Sequence, residues 1–214
     1  GVRLFERLSR KLHLTQAGEK LLNYAQPMLR MNSDLEEDLK AVEQSGPIRL
    51  GASITVGASI LPSLIMTFRR TAPATRIEVF VDNTDMIEQR LLSDQTDIGL
   101  VEGDISSPYI IGRPFMNDEL LLICGPDHRF AGWPEVPVHE LTQEDFVVRE
   151  IGSGTRKTFE EAMSASHIGW KAVWTCNNAD TIKAVVAEGI GISVISRMAV
   201  DKEARAGELL IKPV

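Results

Sequence analysis

Three short stretches combine hydroxyl-bearing and small residues where a strand pattern gives way to a helix pattern: ASITVG at 52–57, DNTD at 82–85 and REIGSGT at 149–155. A helix start exposes amides without intrahelical acceptors and carries roughly half a positive charge from aligned peptide dipoles, so anions settle there readily. In the third stretch Ser153 and Thr155 supply hydroxyls, Gly152 and Gly154 let the backbone come close, and Arg149 can add charge. Ser53, Ile54 and Thr55 in the first, with Asn83 and Thr84 in the second, offer further donors. Asp97 and Glu102 flank the intervening strand DIGLVEG and could face the same cleft, Glu102 as an additional contact to a guest. The chemistry these types allow is reversible capture of a small anion. Ordinary helix capping explains any one stretch taken alone. Convergence of three on one cleft is what favours a ligand.

Covalent chemistry has less support. A phosphate loop needs GxxxxGK[ST], a spacing that GSGTRKT lacks, and Lys157 stands where a dinucleotide fingerprint would put its third glycine. A serine nucleophile needs a neighbouring base. The four histidines, His13, His128, His139 and His167, sit near expected loops or element ends without a supporting motif. Cys124 and Cys176 have neither CxxC nor Cys/His ligand spacing and read as two buried thiols. No catalytic residue, metal site or cofactor is expected.

These turns need a scaffold, and the 214-residue chain can build one: 43% of it is apolar and 25% charged, a globular balance. It contains no run of about 18 uncharged apolar residues and no secretory signal pattern, which reads as a cytoplasmic protein without membrane association. The net charge of −7 argues against a surface that coats nucleic acid throughout. Residues 1–13 are the exception, with Arg3, Arg7, Arg10 and Lys11 against Glu6. A solvated terminus and a nucleic-acid contact both suit such an island.

Residues 1–14 read as a small hairpin with basic residues at its tip, and Thr15 as the N-cap of a long helix. Leu21, Met28, Leu35 and Val42 recur at sevenfold spacing within 16–44, with Ala25 and Leu39 between them, a stripe suited to pairing with another helix. Pro27 predicts a kink near 23–27, and QSGP at 44–47 a domain boundary. From Ile48 strands and helices alternate: IRLGAS, a helix over Val56–Arg70, RIEVFVD, a helix over Asp85–Leu92, then DIGLVEG. A second set follows at DFVVRE, TRKTFEEAMSAS, KAVWTC, ADTIKAVVAEG and GISVIS, with ELLLICGPDH as the crossover between them. The expectation is an α/β fold of two lobes, each with a parallel sheet, and a cleft at the carboxyl ends of the strands.

RLFERLSRKLHLTQAGEKLL resembles the wing and linker-helix start of LysR-type transcriptional regulators, where Thr15, Ala17 and Gly18 match the recurrent LT.AG..L pattern. ILPSLIMTFRRTAP, DIGLVEG and NNADTIKAVVAEGIGISVIS resemble that family's effector domain, so the similarity spans essentially the whole chain. The resemblance implies a type 2 periplasmic-binding-protein-like effector domain over 47–214, with lobe I at about 47–124 and 199–214 and lobe II at about 125–198. Ahead of it come a wing remnant at 1–14 and a linker helix at 15–46. It further implies a base-reading helix upstream of Gly1, a final helix beyond Val214, DNA-backbone contacts through Arg7, Arg10 and Lys11, and a homodimer or homotetramer on double-stranded DNA. Helix 56–70 resembles the face by which effector domains of the family pair side by side. SITVGASILP, DIGLVEG, REIGSGTRKTFE and GIGISVIS resemble a branch that includes regulators of sulfur assimilation and sulfite response, which suits a sulfur oxyanion or acetylserine-like effector. The rival readings are a periplasmic-type solute-binding protein for a small anion and an enzyme built on the same lobes.

Overall fold

The computed structural model describes residues 1–8, 11–44 and 46–214. Contacts divide the chain into two units, Gly1–Gly46 and Pro47–Val214.

In the first unit β1 (Phe5–Leu8) and β2 (Lys11–Leu14) form an antiparallel hairpin that sets Arg7 opposite Leu12. Arg10, expected at its tip, lies outside the described residues. Helix α1 runs from Gln16 to Gln44 without a break at Pro27, so its assigned span shows no interruption at the expected kink. The Thr15 hydroxyl accepts the Gly18 amide at 3.1 Å and donates to the Arg3 carbonyl at 2.7 Å, capping the helix and tying down the entering chain. Gly18 is buried where that chain passes the first turn, and a Cβ there would collide with the Leu4 carbonyl. The LT.AG pattern therefore encodes a cap and a clearance. Leu21, Met28 and Leu35 stand exposed along α1.

The second unit opens with β3 (Ile48–Ser53), α2 (Ile54–Ser59), α3 (Leu61–Thr71), β4 (Ile77–Asp82), α4 (Thr84–Leu92) and β5 (Ile98–Leu100). Their sheet has the order β4-β3-β5 and is parallel throughout. The helix expected over 56–70 is two helices meeting at Ile60. Pro62 sits in the first turn of α3, where its missing amide removes no intrahelical bond. Leu50, Ala52, Val56 and Leu61 form the core of this part.

A segment without regular structure leads from β5 to β6 (Leu120–Cys124). Then come a 3-10 turn (Val138–Gln143), β7 (Asp145–Arg149), α5 (Gly154–Ala165), β8 (Lys171–Cys176), α6 (Ala179–Ala187), β9 (Ser193–Ser196), α7 (Arg197–Ala206) and β10 (Leu210–Lys212). β7 and β8 are parallel, but β6 pairs antiparallel with both β9 and β10, and a parallel bridge at Phe146 and Ile192 connects the two ladders. An all-parallel second lobe is thus corrected to a mixed one. Pairing sets residues 120–124 and 210–212 in one sheet with β9. Alternation explains the apolar run of β6: Leu121 and Ile123 enter one core cluster, Leu122 and Cys124 the other. A strand buried on both faces shows no polar phase in its sequence.

Candidate functional site

Ser53 is the last residue of β3 and sits beside Asp82 at the end of β4, so the parallel register brings the starts of α2 and α4 together. Thr155 lies in the first turn of α5, which springs from β7. These parts meet on Glu102. Its carboxylate accepts from the Ser53 hydroxyl through Oε2 and from the Thr155 hydroxyl through Oε1, the latter at 2.8 Å. The Thr84 hydroxyl donates to the Glu102 carbonyl at 3.3 Å, and the Asp85 amide to the Gly152 carbonyl at 3.1 Å. Two of the three turns singled out by residue type therefore meet on the Glu102 carboxylate, and the remaining one, at 82–85, reaches the Glu102 and Gly152 carbonyls beside it. Ser53, Thr55, Thr84, Ser153 and Thr155 are buried, and Ile54 partly so.

Glycine makes the junction possible. Gly152 has φ +92°, a conformation L side chains rarely adopt, and Gly154 has no room for a Cβ against the Glu102 carbonyl. Gly103, at φ +81°, faces Gly154 across the same gap. Two other residues keep to capping: Asn83 Oδ1 accepts the Met86 amide at 3.0 Å and Ser153 Oγ the Arg156 amide at 3.4 Å.

Arg149 does not bring free charge to the gap. Its guanidinium lies along Glu150, with Nε–Oε2 at 2.8 Å and Nη2–Oε1 at 3.0 Å, and its side chain is only 3% exposed. Arg156 is likewise engaged, with Glu160 at 2.7 Å and the Arg149 carbonyl at 3.0 Å. Asp97 lines the same cavity as Glu102 but lies away from the Ser53–Glu102–Thr155 junction. It binds Arg49 at the opposite end of the β3–β5 pair, and that guanidinium holds its carboxyl below the usual carboxylate range. Lys157 reaches the Asp104 carbonyl at 3.2 Å and Ser106 Oγ at 3.0 Å. The Glu88 carboxylate takes the Ser106 and Ser107 amides at 2.9 and 3.1 Å, so the segment leaving β5 is gripped from α4 and α5 together.

A cavity of about 1160 Å³ opens beneath this segment. Glu102 and Thr155 line it, together with Val56, Ile60, Phe115 and Met198; Ser53, Asn83, Thr84, Arg149, Gly152 and Ser153 do not. Part of its apolar wall comes from residues 103–119, whose aperiodic sequence carries no signal of a lining role. Burial raises the pKa of the Cys124 and Cys176 thiols, which keeps both protonated at neutral pH. Among the described residues no cluster of His, Cys, Asp and Glu is arranged to hold a metal.

Two lobes closing on a polar gap define an effector-binding domain of the periplasmic-binding-protein-like class. Residues 41–214 match the family model described as LysR substrate binding domain. The chain is 32% identical over 209 residues to the uncharacterized HTH-type transcriptional regulator YeiE of Escherichia coli K12, a match covering 98% of this chain and 70% of that protein. With the HTH-type transcriptional regulator CysL of Bacillus subtilis strain 168 it shares 30% identity over 202 residues, 94% of this chain and 68% of CysL. The CcmR regulatory domain of Synechocystis PCC6803, solved in complex with 2-PG, is similar in fold at a TM-score of 0.71 and 28% identity, covering 78% of this chain and 79% of that one. The chain belongs to the LysR family of transcriptional regulators. That membership favours regulation over the solute-binding rival, and these relatives are named as regulators, not enzymes. Among the described residues no helix is long and apolar enough to cross a membrane.

Proposed function

We propose that this protein regulates transcription by sensing a small anionic metabolite between its lobes, with a sulfur oxyanion or an acetylserine-like compound as the effector. The observation that carries this reading is the junction at Glu102, where hydroxyls of Ser53 and Thr155 from two different lobes already hold one carboxylate. A group that both lobes bind favours their closed arrangement. An effector with higher affinity for one arrangement shifts the population toward it and does no bond chemistry. The 2-PG complex of the related Synechocystis domain supports ligand binding on this fold.

Arg7, Arg10 and Lys11 contact the phosphate backbone, which positions the protein without reading sequence. The exposed Leu21, Met28 and Leu35 pair α1 with a second copy in a homodimer or homotetramer. Changed spacing between paired subunits then alters the bend of the bound DNA. A thermal-shift screen with sulfite, sulfate, thiosulfate and acetylserine tests the effector class, because a ligand of the folded state raises apparent stability by mass action. A rise with one of these anions that Thr155→Val removes is the expected result. Equal shifts in parent and variant would overturn the assignment.

A further inference from the structure

Glu102 does more than border the gap. Its two carboxylate oxygens take both hydroxyls that the lobes direct into it, Ser53 through Oε2 and Thr155 through Oε1 at 2.8 Å. The neighbouring guanidinium of Arg149 is already matched by Glu150. Lys157 gives two of its three donors to the Asp104 carbonyl and Ser106 Oγ. No guanidinium in the first turn of α5 or on β7 is thus left without a carboxylate partner to hold a second negative charge beside Glu102. A guest anion that approached the same hydroxyls would meet a like charge in a partly buried setting, where repulsion is poorly screened.

We propose that Glu102 is a tethered occupant of the anion position between Ser53 and Thr155, and that an external anion acts by exchanging with its carboxylate. This rests on the reading of the gap as the effector site and adds how that site chooses. Two consequences follow from the connectivity. Glu102 leads directly into the segment gripped by Glu88 and Lys157, so releasing its carboxylate loosens the crossover between the lobes. The guest must also out-compete a group at high local concentration, which selects anions with more than one acceptor oxygen per charge centre.

The test uses the full chain with Glu102→Ala and Glu102→Gln, and sodium acetate as a probe against sodium chloride at equal ionic strength. Glutamine keeps an acceptor and a donor for hydroxyls that can reorient, so it reports whether folding survives loss of the charge. Glu102→Ala removes the carboxylate, and free acetate should replace it. Acetate should bind Glu102→Ala at least tenfold more tightly than the parent, and Ser53→Ala added to Glu102→Ala should abolish that gain. Sulfate should likewise bind both Glu102 variants more tightly. If sulfate binds parent and variants equally, the gap holds anions but Glu102 does not compete, and the exchange proposal is overturned alone. If no variant binds acetate, sulfate or sulfite at all, the anion reading is overturned together with it.

Discussion

The α carbon of Gly154 stands so close to the carbonyl of Glu102 that any side chain at position 154 would occupy the same space. The obstacle is backbone, which cannot rotate away as a side-chain tip would. Gly154→Ala should therefore separate the first turn of α5 from the Glu102–Gly103 turn and cost about 1–3 kcal/mol, the usual range for overpacking a tight site. Hydrogen exchange at residues 102–104 and 154–156 should speed up while the β6–β9 core stays protected. Unchanged protection around Glu102 would contradict the assigned closeness.

Ser53 and Thr155 share one acceptor, and their effects should not add. Ser53→Ala and Thr155→Val each remove a hydrogen bond to a charged group, worth about 1.5–3 kcal/mol where the remaining carboxylate cannot find water. In the double variant the second loss should be smaller or larger than the first by at least about 0.5 kcal/mol, because both donors position the same carboxylate. Urea denaturation of the two single variants and the double variant gives this coupling. Strict additivity would mean that Glu102 does not bridge the lobes in solution.

The positions of the turns were readable because each lies at the junction of two periodic segments, and β3, β8 and the start of α6 carry strong local patterns. Glu102 was readable only as a residue near the cleft. Its partners lie 49 and 53 residues away, and nothing local marks which acid will meet them. Arg149 misled for the opposite reason: its neighbour Glu150 points back along the same guanidinium, a matter of side-chain conformation rather than residue type. The antiparallel pairing of β6 was hidden because its alternation is buried on both faces. The division of one helix into α2 and α3 was marked by Pro62, whose place in a first turn fits a new start better than an interior.

Lys183 links α6 to α7 through Glu203 at 2.7 Å, with Asp180 at 3.0 Å. Burial opposes the charge on Lys183, but the hydrogen bonds with Glu203 and Asp180 outweigh it and raise its pKa. Burial likewise opposes the charge on Glu203, and the Lys183 bond outweighs it and lowers its pKa. The depressed carboxyl contributes stability above its ordinary value of 4.5, which is lost as pH falls through the lower folded value. The raised ammonium contributes below its ordinary value of 10.5 and loses this only on further rise. Lys183→Met takes the Lys183 partner from Glu203 Oε1 while Oε2 is already buried without one, and should cost about 1–3 kcal/mol at pH 7. The gap between parent and variant should narrow in urea melts below pH 4.5, the ordinary value of Glu203. A gap that stays constant with pH would show that the pair is not coupled to folding.

Gly18 and Thr15 hold the hairpin to the start of α1. Gly18→Ala places a Cβ against the Leu4 carbonyl and 2.9 Å from Leu14 Cδ2. Thr15→Val removes the acceptor for the Gly18 amide, a cap worth about 1 kcal/mol. Both variants should release residues 1–14 to limited proteolysis while leaving unfolding of the effector domain unchanged. Equal cleavage rates in parent and variants would show that the junction does not restrain the hairpin.

Leu21, Met28 and Leu35 lie at sevenfold spacing along α1 and are 50%, 70% and 55% exposed. Water-exposed leucine and methionine at that period are what a helix presents when its partner is a second copy of itself. Met28→Glu puts a charge at the centre of the stripe, and in a paired seam two such charges would face each other. The dissociation constant of the oligomer should rise at least about tenfold, equal to about 1.4 kcal/mol, in sedimentation-velocity titrations. Gln26→Glu, a change at an exposed residue on the opposite face of α1, controls for charge alone. If Met28→Glu leaves the assembly intact while Gln26→Glu breaks it, the seam runs along a different face of α1.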